Sequence, residues 1–295
     1  MDDAATAIDW SWHGKPLRLG VTRLGAGPTL LLLPALSSIS TRGEMRPLQE
    51  RLAESYATVS VDWPGFGDRP KPMVDWRPAA YRAFLAEVLA TVAPAPRATV
   101  AVGHAAAYLI QQAAAKPGSA GALCLIAPTW RGPLPTVSKK PPATFEWFAR
   151  LVDAPGIGAL VYGLNVNKPV LRMMGRGHVY ADPGFLTPEK LAEKLQVTQA
   201  PGARHASVRF VTGLLDPAAD RAAFLADAAR VRDPVLLLFG AGTPRRSRAE
   251  MEALAALPNV ETHVLGQGKL AVQEEAPREI AEFVQAFVEG VSAAA

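Results

Sequence analysis

Short, continuously apolar runs alternate along this chain with longer stretches whose apolar residues recur at helical spacing. The runs at 29–33, 58–62, 99–103, 122–127, 235–240 and 260–265 predict strands. Most lack an alternating polar face, the pattern of parallel strands covered by helices on both sides. Between them the spacing predicts helices over 43–54, 78–92, 105–115, 218–230, 248–257 and 277–290. Pro78 and Pro277 stand where a proline suits a first helical turn. Ahead of these lie two segments, 8–13 and 17–23, joined around Gly14-Lys15, which predict a hairpin. A hairpin followed by repeated strand–helix units implies a doubly wound α/β sheet, mostly parallel.

The rhythm breaks over 129–216. This stretch offers no clear strand, only helical segments punctuated by Pro and Gly, at 142–152, 156–164, 168–174, 188–198 and 206–215. It is expected to be an all-helical cap inserted into a core made of 1–128 and 217–295. The apolar stretch from Gly156 to Leu164 could pack on the core, line a pocket or touch a membrane surface.

Composition narrows the classes. The chain has 295 residues, 49% hydrophobic and 20% charged, with a net charge of +4 and no basic block long enough for a nucleic-acid arm. A single cysteine, Cys124, sits in an apolar run, so no internal disulfide forms and a buried strand residue is the expectation. Met1-Asp2-Asp3 lacks the basic start of a signal peptide, and no apolar run reaches the roughly 18 residues of a membrane span. The expected location is cytoplasmic. No C-x-x-C pair, H-E-x-x-H helix or G-x-x-x-x-G-K-[ST] loop is present, so neither a metal nor a cofactor is expected.

Four segments in order carry a resemblance. They are Asp62-Trp63-Pro64-Gly65-Phe66-Gly67-Asp68, Gly103-His104-Ala105-Ala106-Ala107, Pro234–Ala241 and Glu274-Glu275-Ala276-Pro277. With them the chain resembles the α/β-hydrolase superfamily in its capped branch, alongside epoxide hydrolases, haloalkane dehalogenases and esterases. The resemblance implies an α/β-hydrolase fold, with a nucleophile at the G-x-S-x-G elbow. The departures fall on the chemistry. Ala105 stands where the nucleophile belongs, Thr243 near the place of the acid, and Lys269 where the base would follow Gly268. The His-Gly expected before the oxyanion loop is Pro34-Ala35. None of the three replacements can run a Ser-His-Asp relay.

The remaining candidates read as follows. Backbone amides at Ala106 and Ala107, opening a helix, and one near Leu36 would form the oxyanion hole of an active relative and survive as an anion nest. His104 is either a pocket proton donor or packing beside the elbow. Lys269 is a counter-charge for a carboxylate or phosphate, a Schiff-base amine, or an exposed lysine. Arg131, Arg245, Arg246 and Arg248, with Lys139 and Lys140, form either a cationic rim at the strand ends or a solvated surface. Asp216, His178 and His205 are spare polar residues of the cap. Asp62 and Asp68 read as turn formers, and Ser37, Ser38 and Ser40 as oxyanion-loop serines. The implied function is a non-hydrolytic binder of a small or medium apolar molecule with an anionic group. It would be held by Leu36, His104, Ala105, Ala106, Arg131, Arg245 and Lys269. The alternatives are a hydrolase- or lyase-type enzyme using non-standard residues in the same pocket, and a scaffold without a ligand.

Overall fold

A computed structural model of the chain describes residues 5–294. Met1-Asp2-Asp3, read above for targeting signals, lies outside the described residues. Eight strands form one sheet: β1 (Ala5–Trp12), β2 (Lys15–Leu24), β3 (Thr29–Leu33), β4 (Ala57–Val61), β5 (Ala98–Val102), β6 (Ala122–Ile126), β7 (Val235–Gly240) and β8 (Val260–Leu265). Their spatial order is β1-β2-β4-β3-β5-β6-β7-β8. β2 runs antiparallel to both β1 and β4, and all other pairs are parallel. β5, β6 and β7 are buried at every position, which is why their sequences do not alternate. The hairpin turn falls on His13-Gly14, one residue earlier than the sequence predicts. Both residues have positive φ, 47° and 71°, as a two-residue turn needs to match strand twist.

Thirteen α-helices are described. In the core they are α1 (Arg46–Leu52), α2 (Pro78–Glu87), α3 (His104–Ala115), α10 (Arg221–Arg230), α11 (Arg245–Ala255), α12 (Val272–Glu275) and α13 (Pro277–Ala294). Between β6 and β7 lie α4 (Pro133–Ser138), α5 (Glu146–Asp153), α6 (Ile157–Asn165), α7 (Lys168–Met174), α8 (Pro188–Gln199) and α9 (Ala203–Val211), with no strand among the described residues there. Helix α1 packs on α13, while α2 and α10 pack on α3, so helices flank the sheet. The intervening helices have small apolar clusters of their own, Ala149–Val152–Val208–Leu214 and Leu171–Leu191–Leu195. Among the described residues no helix is long and apolar enough to cross a membrane.

The turn after β4 is pinned by charge. The guanidinium of Arg42 bonds Asp62 and, at 3.0 Å, Asp68, and the Arg42 amide donates to Asp62 Oδ1 at 2.7 Å. Gly67 has φ +81°, and a Cβ there would meet the Asp62 carboxylate at 2.6 Å. The two aspartates are therefore ion-pair partners as well as turn residues. Burial pushes the Asp62 carboxyl up to about 6 against the pull of Arg42.

Candidate functional site

Because β3 and β5–β8 are parallel, the loops leaving them gather at one edge of the sheet. The loop after β5 is a sharp strand-to-helix turn. Gly103 has φ +55° and ψ −124°, outside the comfortable range of other residues, and α3 begins at once with His104. Its carbonyl accepts from Thr129, and its amide donates to Ile126. The elbow backbone is thus built as the sequence predicts, and the methyl of Ala105 occupies its central position.

Two amides around it are engaged. Ala106, expected to lack a partner, donates to the Gly103 carbonyl at 3.2 Å. Ala35, in the loop after β3, donates to Glu44 Oε1 at 2.7 Å. Leu36, Ala105, Ala106 and His104 are all buried. The loops after β7 and β8 are tied together, Gly242 donating to the Gly268 carbonyl at 3.1 Å. Thr243 is buried and its hydroxyl finds no partner among the described residues. The Lys269 side chain runs beside Gly242, and its ammonium donates to the Arg176 carbonyl at 2.8 Å.

His104 turns away from the elbow toward the segment that enters α10. Its Nε2 lies 3.2 Å from the Leu215 carbonyl and 3.6 Å from Asp216 Oδ1. A carbonyl only accepts, so Nε2 carries the proton and Nδ1 is a bare, buried acceptor without a partner among the described residues. Burial lowers the imidazole to about 4, with the Leu215 carbonyl opposing. Asp216 Oδ1 accepts from the Gly132 amide at 2.8 Å. Burial raises this carboxyl to about 8, with the Gly132 amide and Arg131 opposing, so Asp216 is mostly protonated at neutral pH.

Asp216 lies at the wall of a cleft of about 770 Å³. Thr129, Trp130, Arg131, Lys139 and Arg246 also line it. The cleft opens beside the elbow, at the exits of β6 and β7. Arg131 donates to the Lys140 carbonyl and lies 5.9 Å over the Trp130 ring, and Arg246 donates to the carbonyls of Thr136 and Val137. Those bonds fix the guanidinium groups without neutralising them. Arg245 is exposed outside the cleft lining, and Arg248 pairs with Glu252 at 3.0 Å. Of the residues singled out in the sequence, the structure therefore brings Arg131, Arg246, Lys139 and Asp216 to one cleft. It leaves Leu36, His104, Ala105, Ala106 and Lys269 out of that lining.

Other candidates resolve into packing and pairing. Cys124 is buried and its thiol pKa is raised by burial. Ser37 bonds Ser40, and Ser38 accepts from Ser207 of α9. His205 Nδ1 sits 2.6 Å from Asp153, which also binds Arg209 at 2.7 Å. His178 is exposed. Among the described residues no group of three His, Cys, Asp or Glu is gathered as a metal site would need.

One cluster escapes the sequence reading. Lys194 of α8 is buried, with its ammonium 3.1 Å from Glu274 and 3.6 Å from Glu44. The Tyr180 hydroxyl donates to the same Glu274 oxygen at 2.8 Å. Glu274 belongs to α12, and Glu44 to the turn ahead of α1, so the triad bolts the inserted helices to the core beside the Ala35 amide. Burial raises Glu44 to about 7 against Lys194. Burial opposes the Lys194 charge, but Glu274, Tyr180 and Glu44 outweigh it and raise its pKa. A signal existed in the sequence: Lys194 stands three residues after Leu191 and four before Thr198, on the buried stripe of its helix.

The sequence profile of the alpha/beta hydrolase family matches residues 30–283. No curated protein sequence matches significantly. Similar solved structures include a thermophilic esterase from Thermogutta terrifontis, 16% identical over 97% of this chain and 99% of that one, with a TM-score of 0.74. The epoxide hydrolase CorEH is 20% identical over 97% and 99%, with a TM-score of 0.72. The ancestral haloalkane dehalogenase AncHLD2 is 21% identical over 99% and 100%, with a TM-score of 0.73. At these identities the likeness concerns the fold.

Proposed function

We propose that this chain, which belongs to the alpha/beta hydrolase family, is a non-hydrolytic member that binds a small or medium molecule with an apolar body and an anionic group. The cleft beside the elbow carries the reading. Its volume of about 770 Å³ falls inside the roughly 300–1,000 Å³ of small-molecule sites. Arg131, Lys139 and Arg246 offer the anion three cations, which outnumber Asp220 once Glu250 is paired with Arg221, and Trp130 lies in the lining. The elbow supports the same conclusion from the other side. Ala105 supplies no nucleophile, and the Ala35 amide already serves Glu44.

A second reading, an enzyme of the hydrolase or lyase type using non-standard residues, is favoured by one observation. Asp216, raised to about 8 beside His104, is a proton donor poised near neutrality at the cleft wall.

The test is thermal melting against a panel of carboxylates, phosphates and acyl derivatives. A ligand at a hundred times its Kd stabilises by about 2.7 kcal/mol. The expected result is a clear rise in Tm that is lost in Arg131→Ala and kept in Lys269→Ala, whose ammonium is held by Arg176. A flat panel sinks the binder reading. Turnover of esters or epoxides is expected at background for the native chain and for Ala105→Ser alike. Turnover abolished by Asp216→Asn would transfer the argument to the enzyme reading.

A further inference from the structure

We propose that the outer surface of α5–α7 docks onto an anionic lipid bilayer. Two properties that are usually scattered over a protein surface coincide in residues 133–180. Among the described residues, seven of nine exposed large apolar side chains lie there, including Trp147, Ile157, Leu160, Leu164 and Met173. The same stretch holds six Lys/Arg and two Asp/Glu, while the rest of the chain holds 25 of each. The whole net charge of +4 therefore resides in it.

The apolar residues are ordered. Ile157, Leu160 and Leu164 follow i, i+3, i+7 spacing, so they share one face of α6, and each is more than 60% exposed. An apolar face of this kind on a soluble domain marks an interaction site. Charge selects the occupant. Both acids of the stretch are engaged internally, Glu146 with Arg77 and Arg150, Asp153 with Arg209 and His205. Lys139, Lys140, Lys168, Arg172 and Arg176 are exposed and form no ion pair among the described residues. A second copy seated on this face would set the unpaired Lys168, Arg172 and Arg176 against their own like charges. Anionic headgroups supply the missing counter-charge, and the acyl boundary below them takes the apolar side chains, with Trp147 of the type enriched at that depth. Since no described helix can span a bilayer, the contact is interfacial.

The test is flotation of the full chain with vesicles of phosphatidylcholine mixed with phosphatidylglycerol, and of phosphatidylcholine alone, at low and high salt. The native chain is expected to float with the anionic vesicles at least about tenfold more tightly than with the neutral ones, and to be released by salt. Leu160→Glu/Leu164→Glu, whose sites are exposed, should keep the native Tm and lose binding. Lys168→Glu/Arg172→Glu should lose the preference for anionic lipid. Equal affinity for both vesicle types, or unchanged binding in both variants, overturns the proposal. So does a dimer in light scattering that Leu160→Glu/Leu164→Glu abolishes without any vesicle binding.

Discussion

Replacing Lys194 by methionine will destabilise the fold by about 3–5 kcal/mol, although methionine keeps an unbranched apolar stem at that buried position. The ammonium is the shared partner of Glu44 and Glu274, all three being at least nine-tenths buried at the side chain. Without it the two buried carboxylates lose their common counter-charge. Glu44 keeps the Ala35 amide and Glu274 keeps the Tyr180 hydroxyl, which is too little to hold two charges out of water. Urea titration of the native chain and of Lys194→Met measures the effect. Adding Glu44→Gln to Lys194→Met should recover part of the loss, because it removes one stranded charge. A change below about 1 kcal/mol in Lys194→Met would show that the cluster is not charged in the folded protein.

Stability is expected to rise as pH falls from about 8.5 to about 6, by about 2 kcal/mol or more. The sign follows from three buried carboxyls. Glu44, Asp62 and Asp216 are raised by burial from 4.5, 3.8 and 3.8 to about 7, 6 and 8. A raised carboxyl binds its proton more tightly when folded. Its contribution is fully present below the unfolded pKa and is lost as pH rises through the folded one. His104 works in the opposite sense. Burial lowers it from 6.5 to about 4, so its contribution is present above 6.5 and lost as pH falls toward 4. In the upper part of the window Lys71, which burial lowers from 10.5 to about 8, opposes the carboxyls, but their combined effect is larger and acidification stabilises. Lower down His104 opposes them, which places the optimum near mild acidity rather than at neutrality. Denaturation at a series of pH values checks this, and Glu44→Gln should flatten the slope near 7. A profile that rises steadily from about 6 to 8.5 would contradict the upward shift of these carboxyls in the folded protein.

The central strands were legible because β3, β5, β6 and β7 are short apolar runs closed by Gly or Pro within two residues. β3, β7 and β8 match the sequence reading residue for residue, β4, β5 and β6 differ from it by one residue, and β1 and β2 begin three and two residues earlier than expected. Helix ends were less legible. The helix expected over 78–92 is α-helical to Glu87 and closes in a π turn over Val88–Val92, a change of hydrogen-bond spacing with no marker in residue type. Helix α4 has no counterpart in the sequence reading, and Pro133 and Pro135 both stand in its first turn, where a missing N–H costs little. At the elbow the sequence showed which residues replace a triad. It did not show that Glu44, nine residues away, takes the Ala35 amide, or that His104 turns to a carbonyl 111 residues along the chain. Such pairings follow from tertiary distance, and periodicity carries no record of them. The sequence left Arg131, Arg245, Arg246 and Arg248 open between a cationic rim and a solvated surface, and only the fold decides that Arg131 and Arg246 share a cleft while Arg245 does not.

The insertion between β6 and β7 also has a bearing on how the protein folds. These neighbouring strands pair residue by residue, Leu123 with Val235 through Ile126 with Leu238, yet residues 127–234 separate them in the chain. Closing so long a loop costs entropy that grows only with the logarithm of its length. Pairing of this kind is non-local, and non-local pairing slows folding. The six inserted helices therefore weigh on the rate at which β7 and β8 join the sheet far more than on the stability of the sheet once it has formed.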